Sequence, residues 1–286
     1  MTDITAAMVR MLRERTGAAM MDCKRALEAT GGDMDAAEDW LRKHGLKSAA
    51  KKSSRDTNEG RVAAHVAADG KSGAIVGVSC ETDFVAATPE FQAFLGALVQ
   101  TAHEKVAGQG AAAVSALANT TVVGSDDPVQ ARLTQVVGKL GENMRIASVA
   151  RFTVTGGVVC AYVHHNNKLG ALVALATTAP TAKAQEVAKK LAQHICAAKP
   201  LCLERSQVPP EMVERERNVH LESEELASRP AEMREKIVLG KIEKFFQAST
   251  LNEQPWTFED KLSVQKALEK ELGAGSRVEA FALVEL

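Results

Sequence analysis

The sequence predicts an α+β fold: a three-helix bundle at the N-terminus, then two related α+β core subdomains, the second carrying an inserted helical hairpin. Three observations predict it. Laid on itself at an offset of 97 residues, the chain matches Gly60-Arg-Val-Ala-Ala-His-Val66 with Gly157-Val-Val-Cys-Ala-Tyr-Val163, Lys71 with Lys168, and Gly73-Ala-Ile-Val76 with Gly170-Ala-Leu-Val173. Glycines divide the first 45 residues into helix-sized segments. A charge-dense stretch opened by Pro209-Pro210 interrupts the second unit.

Within the bundle, Thr5 is placed to cap a first helix with Met8, Val9 and Leu12 on its apolar side, and Gly17 stops it. A second helix runs from about Ala19 to Ala29 and ends at Gly31-Gly32. Asp33 caps a third, which buries Ala37, Trp40 and Leu41 before Gly45. Three short helices on small connections give the pattern of a ubiquitin-associated-like module, assigned with its linker to residues 1–54. So small a bundle has little interior, so one of Met20 and Met21 is expected to pack inside and the other to offer an adaptable contact. Lys47, Lys51, Lys52 and Arg55, interleaved with Ser and Ala and without aromatics, read as a solvated linker, not a nucleic-acid patch.

Each repeat shows apolar residues at alternate positions, Val62, Ala64, Val66 and Val159, Ala161, Val163, then a polar turn and a second apolar run. That is a hairpin signal. The turns, Asp69 to Gly73 and His165 to Leu169, are rich in residues that tolerate positive φ. A long helix follows each hairpin, Pro89 to about Val106 and Thr181 to about Ala198. The first core subdomain is assigned to 55–156 and the second to 157–200 with 248–286. Residues 201–247 form the hairpin insertion, with Met212, Val213, Val219, Leu226, Met233, Ile237, Val238, Ile242, Phe245 and Phe246 as its thin seam. The final run from Arg277 to Leu286 alternates as a strand and is expected to return to the second sheet.

Composition narrows the function. The 286 residues carry a net charge of −1, which gives no global pull toward nucleic acid or an anionic membrane, and no apolar run approaches a membrane span. The N-terminus shows no secretory or transit signal, and five scattered cysteines without a Cys-x-x-Cys pair fit reduced thiols in a cytosol. The near misses for chemistry fail on context. Gly70-Lys71-Ser72 lacks the upstream glycine of a phosphate loop, since position 65 is His65. Gly108-Gln-Gly110 follows a helix where a strand is needed, so it reads as a helix-ending loop. His103-Glu104 has no second histidine, and His164-His165 are expected on opposite faces of their hairpin, with no ligand cluster around them. No catalytic residue, cofactor or metal site is assigned, and the chain is expected to act by binding and not as an enzyme.

The segment Cys80-Glu-Thr-Asp-Phe-Val-Ala86 sets a phenylalanine in a polar turn of a chain only 4% aromatic. At the 97-residue offset Thr82-Asp83-Phe84 falls on Ala179-Pro180-Thr181, which has no aromatic. A ring needed to pack the strand-to-helix corner would have a counterpart there. Phe84 therefore serves either a partner or, on the plainer reading, its own core.

Val9 to Leu27 (Val-Arg-Met-Leu-Arg-Glu-Arg-Thr-Gly-Ala-Ala-Met-Met-Asp-Cys-Lys-Arg-Ala-Leu) and Val78 to Ala86 resemble the two signature segments of the elongation factor Ts family. Gly141-Glu-Asn-Met-Arg-Ile146, the hairpin from Tyr162 to Gly170, His194-Ile-Cys-Ala-Ala-Lys-Pro200 and Arg234 to Ile242 add matches in order along the whole chain. The resemblance implies a nucleotide exchange factor of the bacterial cytoplasm whose partner is the GTPase elongation factor Tu, GDP-bound or nucleotide-free, with higher-order assembly open. It implies that Arg13, Met20 and Met21 touch the GTPase domain, and that Thr82, Asp83, Phe84 and Val85 form a loop inserted beside the magnesium and nucleotide. His164 would contact another domain, with His165 as the alternative because the turn is a residue longer than usual. Longer family members continue into a further helix; this sequence ends at Leu286, and that contact is not expected. The rival class, a ubiquitin-associated-like adaptor without nucleotide coupling, leaves Phe84 and the repeat without a role.

Overall fold

The computed structural model describes residues 3–223 and 230–286. Helices α1 (Ala6–Thr16), α2 (Met20–Ala29) and α3 (Met34–Lys52) form the bundle. The local signals act as expected: Thr5 Oγ1 accepts from Met8 N at 3.2 Å, Gly17 ends α1 at φ 69°, and Asp33 Oδ1 accepts from Asp35 N and Ala36 N. Val9, Leu12, Cys23, Ala26, Leu27 and Ala37 make the core. Two expectations are corrected. Both Met20 and Met21 are exposed, at 48% and 63%, because Met20 opens α2, where its side chain tilts past the helix end, and Met21 lies off the Cys23, Ala26, Leu27 stripe. The third helix does not stop at Gly45 but runs on to Lys52, so Lys51 and Lys52 close it as cations at the negative end of its dipole. The side chain of Lys47 lies outside the described residues.

The first core subdomain comprises β1 (Glu59–Val66), β2 (Ser72–Cys80), the one-turn α4 (Asp83–Ala86), α5 (Pro89–Lys105), β3 (Gly108–Gln109), α6 (Ala111–Ala118), α7 (Val129–Leu140) and β4 (Met144–Thr153). Its sheet has the order β1-β2-β4-β3. Gly108-Gln109, expected in a helix-ending loop, pairs instead with Ala150 and Arg151 of β4, and Gly110, at φ 78°, turns the chain into α6. Helix α3 lies along α7. A Cβ on Gly138 would stand 3.8 Å from Gly45 Cα, so the glycine in mid-α3 marks a close helix approach, not a stop.

The second subdomain begins with β5 (Val158–Val163), β6 (Leu169–Ala176) and α8 (Thr181–Ala198), continues through α9 (Pro210–Leu221) and α10 (Ala231–Ser249), and closes with β7 (Pro255–Trp256), β8 (Glu259–Ser263), α11 (Val264–Leu272) and β9 (Arg277–Glu285). Its sheet has the order β5-β6-β9. The two sheets stack through Val62, Ile75, Ala150, Val159, Leu172 and Val284, with α5, α6 and α7 outside the first and α8 and α11 outside the second. Strand β2 is therefore buried on both faces, which is why it reads as an apolar run: Val76 and Val78 face helices while Ile75 faces the other sheet.

The repeat extends to the third strands, which the sequence comparison did not pair. The β2–β4 register slips between Gly77 and Val78, and the β6–β9 register slips between Ala174 and Leu175, the same places at the 97-residue offset. The halves also exchange backbone hydrogen bonds: Val62 N donates to Asn167 O and Val159 N to Gly70 O, each at 2.7 Å. Gly60 and Gly157 open corresponding strands with φ of 149° and 103°, where a Cβ would lie 2.2 and 2.0 Å from the carbonyl oxygens of Val78 and Leu175.

The hairpin is moored by Arg205. Its guanidinium donates to Glu243 and Glu253 and lies 4.8 Å over the Phe246 ring. The expected seam is thinner still: Val238 is buried, but Met212, Val219 and Met233 are exposed. The half-buried stripe of α9 passes through Val213, Glu216 and His220, so its neighbours Met212 and Val219 face outward. Leu226 lies outside the described residues.

In the second core, His194 is 1% exposed between Thr257 Oγ1 at 2.6 Å and Gln254 Oε1 at 3.0 Å. Burial lowers its pKa below the ordinary value. The unfolded chain, titrating near about pH 6.5, then takes up a proton that the folded one refuses, so stability is full above that pH and falls as pH drops below it. The urea midpoint should decline from pH 7 to 5.5, and His194→Gln should shrink the decline; an unaltered decline would assign it to other groups. Gly157→Ala should cost more than about 2 kcal/mol in urea unfolding, whereas Gly96→Ala, in open space within α5, should add about 0.5 to 1.

Candidate partner-docking site

At the end of β2 the chain turns through Thr82 into α4. Thr82, with an extended backbone, caps this single turn: its Oγ1 accepts from Val85 N at 3.3 Å. Asp83 occupies the first helical position, exposed, where a carboxylate suits the positive end of the turn. The next two residues divide. Val85 is 9% exposed and belongs to the core with Phe91 and Val76, while Phe84 is 81% exposed, the most exposed large apolar side chain among the described residues. Of the two readings of Phe84, the core reading fails, and Val85, expected as a contact residue, anchors the turn from inside.

The turn is braced from the short connection between α7 and β4. Glu142 Oε2 accepts from Thr82 N at 2.9 Å and Glu142 Oε1 from Thr82 Oγ1 at 2.6 Å. In return, Asn143 N donates to Glu81 Oε1 at 2.6 Å. Asn143 Nδ2 donates to Arg55 O at 2.7 Å and Arg145 Nη2 to Ser53 O at 2.9 Å, which ties the exit of α3 to the same place. The Cys80 thiol donates to Thr82 O at 3.1 Å, and burial first, then the Glu142 charge, push its pKa up to about 11, so it stays a protonated donor. Glu142, Asn143 and Arg145 had stood out in the sequence only as part of the Gly141-Glu-Asn-Met-Arg-Ile146 segment, without a role.

His164 lies in the β5–β6 turn, at the same end of the sandwich. Asn167 O of that turn accepts from Val62 N, Lys168 Nζ pairs with Glu59 Oε2 at 2.5 Å, and Glu59 stands opposite Cys80 in the β1–β2 ladder. His164 Nδ1 meets Tyr162 Oη at 2.9 Å, which leaves His165 the more exposed of the pair. Their rings do not point apart as expected: the centroids are 4.2 Å apart, because both follow the last paired residue of β5, where strand alternation has ended. Among the described residues no three His, Cys, Asp or Glu side chains gather as ligands, and no helix is long and apolar enough to cross a membrane.

Arg13, in the last turn of α1, and Met20 and Met21, at the start of α2, flank the Gly17 turn, all three exposed. The Gly17 turn lies against the first core subdomain: Lys139 of α7 passes over Gly17, where a Cβ would meet its Cε at 2.7 Å, and pairs with Glu90 of α5 at 3.1 Å. The five cysteines are all free thiols.

A family model described as Elongation factor TS matches residues 81–286. Elongation factor Ts of Paramagnetospirillum magneticum is 41% identical over 290 residues, which cover 99% of this chain and 91% of the relative. The proteins of the same name from Magnetococcus marinus and from Clostridium botulinum strain Eklund 17B are 38% and 39% identical, each over 99% of this chain and 92% of its own length.

Proposed function

The chain belongs to the elongation factor Ts family, and from that premise we propose that it speeds GDP release from elongation factor Tu by seating Phe84 in an apolar pocket beside the magnesium and nucleotide. The observation that carries this is the division at the α4 turn, where Val85 is locked in the core and Phe84 stands in water. A large apolar ring held rigidly in solvent gains its burial only when a partner arrives. Asp83 goes with the ring, and Thr82 sets its direction.

The rest of the molecule supplies affinity. Residues 1–54 would dock on the GTPase domain through Arg13, Met20 and Met21, and the methionines give that contact an adaptable apolar surface. The second subdomain, 157–200 with 248–286, would grip another domain through the His164 turn, supported by the insertion 201–247. The chemistry is binding alone, in a cytoplasmic setting, and no group here needs to form a covalent bond.

Magnitudes require this division of labour. Burying a phenylalanine is worth roughly 1.5 to 3 kcal/mol, whereas a ten-thousandfold faster release needs about 5.5 kcal/mol. The wide interface must contribute the remainder.

Stopped-flow release of a fluorescent GDP from the host's elongation factor Tu tests the reading. Phe84→Ala should slow stimulated release by about one to two decades while shifting Tm by less than about 2 °C, since the residue is 81% exposed in the free protein. Val85→Ala should instead cost about 1.5 kcal/mol of stability. A Phe84→Ala protein that melts several degrees lower yet releases GDP at the wild-type rate would return the ring to the protein's own interior and refute the proposal.

A further inference from the structure

The Gly141 to Ile146 segment has no part in the partner contacts proposed above, yet four of its residues in a row are held inside the first subdomain or against the chain around α4. Met144 is buried in the first core, Asn143 is 4% exposed and holds Glu81 and the Arg55 carbonyl, and Arg145 holds the Ser53 carbonyl. Glu142 alone reaches the turn that carries Phe84, and does so with both carboxylate oxygens.

We infer that Glu142 is a positioning residue for nucleotide release, acting through Thr82 to aim Phe84; the inference rests on the function proposed above. A carboxylate only accepts hydrogen bonds. Facing Glu142 Oε1 at 2.6 Å, the Thr82 hydroxyl must point its proton there, which leaves its lone pairs for Val85 N. Glu142 thus decides the direction of the cap, and the cap sets the start of a turn only four residues long. Helices this short do not persist on their own, so their geometry comes from what holds their ends. Below, Val85 is held by packing; above, Thr82 is held by Glu142. Phe84 lies between the two fixed points and inherits its orientation from them.

Glu142→Gln keeps the size of the side chain but replaces one acceptor by a donor. Either the Thr82 N–H or its hydroxyl then faces an amide NH2, so one of the two bonds is lost or the hydroxyl proton reverses and the cap weakens.

The test is a double-mutant cycle on stimulated GDP release with saturating factor, in wild type, Glu142→Gln, Phe84→Ala and the double variant. Glu142→Gln should slow release about tenfold when Phe84 is present, the loss expected for one charge-assisted hydrogen bond, and less than about twofold in the Phe84→Ala background. An equal slowing in both backgrounds, or none in either, overturns the inference. Amide hydrogen exchange of the free protein reads the mount without the partner: Val85 N–H should exchange about tenfold faster in Glu142→Gln, and unchanged protection refutes the aiming role. A wild-type protein that releases no GDP would contradict the function itself, while the Val85 amide would still decide whether Glu142 orders the turn.

Discussion

The structure depends on one reciprocal contact, the exchange of backbone hydrogen bonds between Val62 and Asn167 and between Val159 and Gly70. Each hairpin turn closes on the first residues of the other hairpin, so neither sheet can shift without breaking the other's turn. Turn residues that accept positive φ make this possible, with Gly70 at 66° and Asn167 at 57°. Around the contact the sheets pack face to face at close range, helped by Gly73 and Gly170, where a Cβ would press on Val159 and Val62 respectively. One consequence is positional. The His164 turn is carried to the end of the first sheet where β2 delivers Phe84.

A sandwich clasped in this way can present an unfavourable side chain. Phe84 in water costs stability that a mobile loop would recover by folding the ring onto the nearest apolar surface. The α4 turn is too short and too firmly held for that, with Val85 in the core on one side and the Glu142 brace on the other. Its ordering cost is met when the protein folds, so none is charged on binding. The duplication explains why only one half carries such a turn: the second unit has the same strand-to-helix junction, but Pro180 starts α8 directly and leaves no room for an extra turn.

Much of this was legible in the sequence where local chemistry dominates. Thr5, Gly17 and Asp33 mark helix ends by their own hydrogen bonds and backbone freedom, and the two hairpins show as alternation around turn residues. The exposure of Phe84 could be inferred from a missing counterpart, because a duplicated fold supplies its own control. What failed depended on distant partners. Gly45 reads as a helix stop until Gly138 is brought beside it, and one of Met20 and Met21 reads as core until the bundle's other side chains fill that core without either. The equivalence of β4 and β9 was hidden because it lies in a register slip and not in residue identity. The brace was hidden for a similar reason: Glu142 and Thr82 are 60 residues apart, and nothing local to either names the other.

The central claim is that docking of this surface and nucleotide binding to the GTPase oppose each other. By linkage, whatever factor this protein takes from the affinity of elongation factor Tu for GDP, GDP must take from its affinity for this protein. Calorimetric titration of the protein into nucleotide-free and into GDP-saturated elongation factor Tu measures that factor directly. The account predicts binding weaker by several decades in the presence of GDP, matched by an equal loss of GDP affinity in the complex. Equal affinity with and without GDP would contradict it and leave a protein that binds without exchanging.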